Sequence, residues 1–219
     1  PPDDDYGLFA HLIGPDGEVW RQASDPLGLG VRGTRRWPTD ELVVEQRRLG
    51  VPPDAVPGEY RLVVGLESPS TQRRLEAASP DGANLGNQVV LGTVSVQKVP
   101  FPPNLALLPI RHRHSHTFDD ALRLIGHNLG PDQVRPGDRV SLALFWQANK
   151  SPGRDYQARL RLVDAAGVSV AESVGTPAGG IHPTSRWFAG EVVRDHRRLI
   201  VPPTAAVGPY AVQVEVLNG

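Results

Sequence analysis

The sequence contains no cysteine and no methionine. Without cysteine the chain can form no disulfide, can carry out no thiol chemistry and can offer no thiolate to zinc. The missing methionine includes the initiator, which favours a mature product or an excised segment of a longer polypeptide. Runs of about 18 apolar residues, the length that a membrane-spanning helix needs, are also lacking. We therefore expect a chain that is not itself membrane-spanning.

The sequence also lacks an excess of charge of either sign, since it contains 23 Lys and Arg residues and 24 Asp and Glu residues. A balanced chain has no large field to attract phosphate backbones or anionic lipid, so we expect no nucleic-acid partner. Glycine (23) and proline (22) are frequent and separate short β-branched runs. This composition favours many short strands joined by turns over long helices.

The most specific feature present is an ungapped internal repeat at an offset of 150 residues. Repeats of this kind indicate that one structural unit occurs twice. The matched residues include Tyr6, Leu12, Gly17, Thr34, Arg36, Trp37, Val43, Arg47, Leu49, Pro52, Pro53, Gly58 and Tyr60, which recur as Tyr156, Leu162, Gly167, Thr184, Arg186, Trp187, Val193, Arg197, Leu199, Pro202, Pro203, Gly208 and Tyr210.

Each copy is predicted to consist of short antiparallel strands. A hairpin surrounds the turn Pro15-Asp16-Gly17, and further turn signals follow at intervals of about 8–12 residues, which is typical of an immunoglobulin-like sandwich. We predict an all-β fold of two tandem immunoglobulin-like β-sandwich modules. The predicted strands cover residues 6–13, 18–22, 42–49, 60–66, 89–96, 121–126 and 139–147.

The repeat also predicts three regions along the chain: a β-sandwich module at 1–97 that lacks its first strands, a Pro/His-rich linker at 98–117, and a module at 118–219 that lacks its last strands. Incomplete sandwiches expose ladder edges. Three explanations stay open: an excerpt of a longer polypeptide, strands donated by neighbouring chains, or one larger sandwich formed by both copies. The expected partners are accordingly other copies of the chain or the rest of a longer chain.

Several stretches resemble a known kind of module. They are Val134–Asp138, Leu142–Ala148, Pro183–Trp187, Val201–Pro203, Gly58–Leu66 and Leu91–Val96. Together they resemble the extracytoplasmic β-sandwich modules that bacterial multi-spanning glycosyltransferases of the mannosyltransferase type, and other large surface proteins, carry after their membrane helices. The resemblance implies an extracytoplasmic location. It implies no catalytic residue, because the transferase chemistry of that family lies in its membrane-embedded part.

A histidine run in the predicted linker is a candidate metal site. In an extended chain His112, His114 and His116 point to one side, and three imidazoles could hold zinc or copper. Arg111 and Arg113, which alternate with His112 and His114, would repel a cation, so the alternative is a solvated linker.

The tryptophans divide into structural and binding candidates. Trp37 and Trp187 occupy equivalent positions, which indicates that each locks a corner against the core. Trp20 aligns with Val170, so the module does not require an aromatic residue there. An exposed Trp20 could stack on a sugar ring, and a glycan therefore joins the candidate partners.

No motif orders a nucleophile, a base and an acid in this sequence. Glu41 and Glu191 repeat, but each follows a turn at a strand start, where a surface carboxylate is ordinary. We predict no catalytic residue and no cofactor, and a chain that is not an enzyme. The predicted function is a structural or interaction module of the bacterial cell envelope. The alternatives are an accessory periplasmic domain of a membrane glycosyltransferase, a strand-exchanging subunit of a surface filament or layer, and a carbohydrate-binding module.

Overall fold

The computed structural model describes residues 2–40 and 42–218, except for the side chain of Leu29. It is all-β, which confirms this part of the predicted fold class. The strands are β1 Gly7–Ile13, β2 Val19–Pro26, β3 Gly58–Glu67, β4 Ala77–Ala78, β5 Asn84–Gly86, β6 Val89–Val96, β7 His112–Phe118, β8 Leu122–Gly130, β9 Arg139–Ala148, β10 Tyr156–Val163, β11 Ser169–Gly175, β12 Val192–Ile200 and β13 Ala211–Asn218. Short 3-10 turns occur at Leu27–Gly30, Thr34–Arg36, Leu105–Leu107, Pro177–Gly180 and Thr184–Arg186. No helix in the described residues has the length and apolar character needed to cross a membrane.

The two hairpins of the repeat form where their turn residues predict them. Gly17 and Gly167 have φ angles of 78° and 80°, in the left-handed region that glycine tolerates best. In the first hairpin the Asp16 carboxylate accepts the backbone N–H of Glu18, and in the second the Asp164 carboxylate accepts that of Val168. Both hairpins are antiparallel, with a register shift before their last residue pair.

The chain divides into two compact units. Unit 1 contains the residues up to Pro52 together with Gly58–Val96, and unit 2 contains Pro53–Pro57 together with the residues from Gln97 onward. Unit 1 holds one four-stranded sheet in the order β2-β1-β3-β6 and the small β4-β5 pair. Unit 2 holds a three-stranded sheet, β11-β10-β13, and a four-stranded sheet, β12-β9-β8-β7.

Strand β9 is the centre of the core of unit 2. Leu144, Phe145 and Trp146 are each at most 1% exposed, so both faces of this strand are covered. Phe145 packs in a cluster with Leu108, Ile110, Ile125 and Val192. A strand buried on both faces reads as a continuous apolar run, and Leu142–Trp146 is such a run.

The predicted linker at 98–117 is wrong in its second half. Leu108 and Ile110 are buried in the core cluster of unit 2, and His112–Phe118 form the edge strand β7. Gly126 of β8 lets this segment approach, because a Cβ atom on Gly126 would lie 2.3 Å from Ile110. The prolines made the stretch look extended and solvated, but Leu108 and Ile110 lie against a sheet.

The predicted strand at 42–49 is also wrong, because these residues form no ladder. In the second copy the equivalent strand β12 pairs with β9 along its whole length. The described residues offer the first copy no equivalent of β9. A strand exists only where its backbone groups find a neighbouring strand, so a similar side-chain pattern gives different structures in the two copies.

A buried ion pair joins distant parts of unit 2. Asp54 and Arg194 form two hydrogen bonds, Nε–H to Oδ2 at 2.6 Å and Nη2–H to Oδ1 at 2.8 Å. Their side chains are 0% and 7% exposed. The repeat does not reproduce the pair, because the equivalents of Asp54 and Arg194 are Thr204 and Val44.

We expect Asp54→Ala to lower the free energy of unfolding of unit 2 by about 3–5 kcal/mol, because the change removes the carboxylate that compensates the buried charge of Arg194. Urea denaturation followed by tryptophan fluorescence measures the loss. The double variant Asp54→Ala/Arg194→Met should regain most of it, since removing both charges removes the uncompensated one. The exposed Asp40→Ala control should change stability by less than about 0.5 kcal/mol. A loss in Asp54→Ala no larger than in the control would contradict this account.

Candidate functional site

Each copy contains the same threonine-centred corner. Thr34 accepts the backbone N–H of Tyr6 at 3.0 Å and donates to the carbonyl of Asp4. In the second copy Thr184 accepts the N–H of Tyr156 at 2.8 Å and donates to the carbonyl of Arg154 at 3.0 Å. One hydroxyl thus ties the 3-10 turn to the start of β1 in the first copy and to the start of β10 in the second.

The repeated tryptophans close the same corners. The indole N–H of Trp37 donates to the carbonyl of Arg32 at 3.2 Å, and that of Trp187 donates to the carbonyl of His182 at 2.9 Å. Trp187 is only 1% exposed, whereas Trp37 is partly exposed. The structural-corner role of Trp37 and Trp187 stays a prediction.

A carboxylate–guanidinium pair anchors the turn before each corner. Asp195 is completely buried and accepts from Arg197 at 2.9–3.0 Å and from the backbone N–H of Ala178 at 2.9 Å. In the first copy Glu45 accepts from Arg47 at 2.6 Å and also from the backbone N–H of Gly28. Burial raises the pKa of Asp195, and the contacts with Arg197 and Ala178 oppose that shift.

Both arginines also donate a hydrogen bond to a backbone carbonyl at the end of a hairpin strand. Arg47 donates to the carbonyl of Pro26 at 2.8 Å, and Arg197 donates to that of Gly175 at 2.6 Å. Residues 42–50 of the first copy, called the unpaired segment below, are therefore held by their middle side chains to the end of β2 without belonging to a sheet. The second copy uses the same contacts on a complete strand.

The unpaired segment keeps the side-chain alternation of a strand. Val43, Glu45, Arg47 and Leu49 are half-buried, and the residues between them are exposed. Leu42 and Val44 are 87% and 80% exposed, although their equivalents Val192 and Arg194 are 4% and 6% exposed. The segment thus lies outside the described ladders and exposes apolar side chains, and a surface of this kind is suited to strand addition.

Glu191 is not the surface carboxylate that the sequence suggested. It is 7% exposed, accepts from His182 Nε2 at 2.7 Å and from the Phe188 N–H at 2.9 Å, and lies 3.1 Å from Lys98 Nζ. Burial is the largest effect and raises the pKa of Glu191, but the contacts with His182, Phe188 and Lys98 together outweigh it and lower the pKa. Its sequence counterpart, Glu41, lies outside the described residues.

The three histidines of the candidate metal site lie on β7, close to a fourth histidine on the neighbouring strand. His127 on β8 is the cross-strand partner of His112, and its Nδ1 lies 3.0 Å from His114 Nε2. The rings of His114 and His116 are 4.9 Å apart. Burial, followed by the charges of neighbouring histidines, lowers the pKa values of His114 and His127. Among the residues that the structure describes, no group of three or more His, Cys, Asp or Glu residues has a geometry that could hold a metal ion.

Trp20 does not meet the condition for stacking on a sugar. It is 4% exposed, its indole N–H donates to Asp16 at 2.9 Å, and its ring meets the edge of Tyr60 at a centroid distance of 5.8 Å. The carbohydrate-binding hypothesis for this residue is therefore wrong. The indole fills a place beside the hairpin turn that Val170 fills in the other copy.

Sequence reasoning missed Asp54, His127 and the burial of Glu191. His127 lies on the strand after the histidine run, where only the β7–β8 pairing brings it close to His114. The Asp54 contact joins residues 140 positions apart and has no repeated counterpart. A repeated glutamate at 41 and 191 was the only available signal, and it was interpreted as a surface residue.

Comparison with protein-family models and with curated proteins finds no match to this chain.

The net lowering of the Glu191 pKa predicts an acid-sensitive corner. A carboxylate whose folded pKa lies below its ordinary value of 4.5 stabilises the fold above that pH and ceases to do so as the pH falls through the folded pKa. We expect Glu191→Gln to cost about 1–3 kcal/mol at pH 7 and to flatten the loss of stability below pH 4.5, measured by urea denaturation at several pH values. The exposed Glu76→Gln control should keep the wild-type pH profile. A Glu191→Gln profile as steep as the wild type would count against this role.

Proposed function

We propose that this chain is a non-catalytic interaction module that binds other polypeptides by accepting a β-strand along the unpaired segment. One observation carries the proposal: residues 42–50 keep the pattern and anchoring contacts of β12 but have no ladder partner in the described part of the chain. Backbone hydrogen bonds supply affinity in strand addition, and the alternating side chains supply specificity.

The second copy defines the chemistry of the strand that fits. Along β12, Val193 lies opposite Trp146, Asp195 opposite Leu144, and Leu199 opposite Val140. Residues 43, 45 and 49 are the equivalents of these three residues of β12. In a complex with an added strand they would therefore face large apolar side chains of the same kind. The partner is thus a strand with apolar residues at alternate positions, like Arg139–Ala148.

The non-catalytic part of the proposal is supported by how the polar groups are used. The pair His182 and Glu191, a combination that also serves in catalysis, is buried and engaged by Lys98 and the Phe188 amide. Asp195 is completely buried and held by Arg197. These groups support turns in the fold, where a substrate would not reach them.

The cell-envelope setting belongs to the same proposal and rests on the sequence resemblance alone. We propose in detail that the chain is extracytoplasmic and that its modules are immunoglobulin-like. We also propose, as one alternative, that the chain is attached to a membrane glycosyltransferase. A surface filament or layer is the alternative that the unpaired edges favour, because such assemblies use open strands.

The test adds a synthetic hairpin with the sequence of residues 121–149 to the full 219-residue chain and follows backbone hydrogen exchange. We expect amides of residues 42–50 to exchange about 100-fold more slowly at a peptide concentration 100 times the Kd, because binding stabilises the paired state by that factor. Amides of β12, which are already paired, should be unaffected.

Two variants control the experiment. Val44→Pro removes a backbone donor inside the unpaired segment and should abolish the protection. Val99→Pro, at an exposed position in the proline-rich stretch, should leave it intact. Equal protection by a peptide of scrambled sequence, or no protection of residues 42–50, would refute the proposal.

A further inference from the structure

Strands β7 and β8 bring four histidines of unit 2 together. His112 and His127 are cross-strand partners, and their rings stack at a centroid distance of 5.0 Å and an interplanar angle of 19°. The ring of His114 lies 5.2 Å from that of His127 and 4.9 Å from that of His116. In the described part of the chain no group of three or more such side chains could hold a metal ion. Imidazole gains its charge between about pH 5 and 8, so the cluster changes charge in that range.

The closest contact of the cluster joins His114 Nε2 to His127 Nδ1 at 3.0 Å. At this distance one nitrogen donates a hydrogen and the other accepts it, so only one hydrogen fits between the two atoms. The pair can take up one proton on an outer nitrogen and keep this bond. A second added proton would place N–H against N–H and two positive charges side by side.

The surroundings of the pair are apolar. His114 and His127 are both half-buried, and they border a cavity in unit 2 together with His116. The other described residues that line this cavity carry no titratable side chain, and most are apolar, such as Leu144 of β9 and Val214 of β13. A second charge on the pair would therefore be poorly solvated.

The basic residues on the same two strands add to the positive charge around the pair. Arg111 and Arg113 lie on either side of His112, and the Arg113 guanidinium donates to the carbonyls of Leu105 and Leu108. On β8, Arg123 donates to the side chain of Gln147. The only charged residue of β9 is Arg139, at the first position of that strand.

The acidic residues of the neighbouring elements are engaged elsewhere or lie in a turn. Asp195 is in the same cross-strand row as His127, but Leu144 lies between them and Arg197 holds the carboxylate. Glu215 of β13 is paired with two arginines of β10. Asp119, after the end of β7, is paired with an arginine of the β9–β10 turn, and Asp120 is exposed beside it. These contacts leave the two histidines to carry an added charge by themselves.

The sign of the pH effect follows from the pKa shifts of the pair. Burial, followed by the charges of neighbouring histidines, lowers the pKa of His114 and of His127 below the usual value of 6.5. A base whose pKa is lower in the closed than in the open state binds protons more readily when its surroundings open. The stabilisation that the pair provides is therefore complete above about pH 6.5 and is lost as the pH falls below 6.5 toward the folded pKa values.

Strand β7 is the element that a charged pair would detach. In the described sheet it is paired with β8 alone, and its register shifts between Arg113 and His116. A strand held by one interrupted ladder opens at a lower free energy than a central strand such as β9.

We infer that His114 and His127 form an acid-sensitive latch, which holds β7 on β8 while the pair carries at most one added proton and lets β7 separate when it carries two. This inference goes beyond the proposed function, because residues 42–50 contain no histidine. Separation of β7 uncovers the backbone of β8, so acid would expose a strand edge in a different part of the chain.

Hydrogen exchange of the full chain at pH 7.5, 6.5 and 5.5, corrected for the intrinsic exchange rate at each pH, tests the latch. We expect the protection of β7 amides to fall about tenfold between pH 6.5 and 5.5, because each extra proton bound by the open state shifts the equilibrium tenfold per pH unit. Amides of β9 should keep their protection. Equal losses in β7 and β9 would show acid unfolding of the whole unit, and either that result or an unchanged β7 would overturn the inference.

Single substitutions assign the effect to the pair. His114→Gln and His127→Gln each replace a titrating ring by an amide that can still form hydrogen bonds. Each should reduce the change in β7 protection to about twofold or less, and the double variant should add little, because the two residues act as one unit. The matched control His11→Gln removes a half-buried histidine of β1 and should keep the tenfold change. A tenfold change that persists in His127→Gln would refute the latch.

NMR of the carbon-bound ring protons tests the wild-type chain without any substitution. We expect His114 and His127 to titrate in two steps, with the second proton bound only at a pH where β7 has lost its protection. Uptake of both protons in a single step, with β7 still protected, would overturn the inference.

Discussion

The pairing of backbone groups across β-ladders is the constraint on which this structure depends. Every strand needs a neighbour for its N–H and C=O groups, and side-chain pattern alone does not supply one. Residues 42–50 and β12 show the consequence, because the same anchoring carboxylate and arginine occur in both copies and only one copy forms a strand. The open edges that result are the features that distinguish one copy from the other.

Polar contacts hold the corners of both copies independently of the ladders. The threonine, the tryptophan and the carboxylate–arginine pair each repeat at the same offset. The threonine and tryptophan bond equivalent backbone groups, and each arginine bonds the carbonyl of the last residue of a hairpin strand, Pro26 of β2 or Gly175 of β11. Such local contacts need no second sheet, so they form around the unpaired segment as well as around β12. They give the first copy a defined surface on which an added strand would find its register.

The sequence predicted what local chemistry determines. The Pro15-Asp16-Gly17 turn placed the first hairpin, the repeat transferred it to the second copy, and apolar runs located β3, β6, β8 and β9. The sequence could not predict contacts between residues that are far apart along the chain. The burial of Trp20, the meeting of His127 with His114 and the pairing of Asp54 with Arg194 depend on which strands are neighbours, and no residue pattern states that.

The Asp54–Arg194 pair also bears on the order of events during synthesis. Asp54 leaves the ribosome 140 residues before Arg194, which at about 5–20 residues per second is a delay of roughly 7–28 s. Throughout that interval the loop around Asp54 has no buried partner, and unit 2 cannot acquire its final core. The nascent chain must therefore keep this loop accessible until the C-terminal strands emerge, which makes translation speed a variable in its folding.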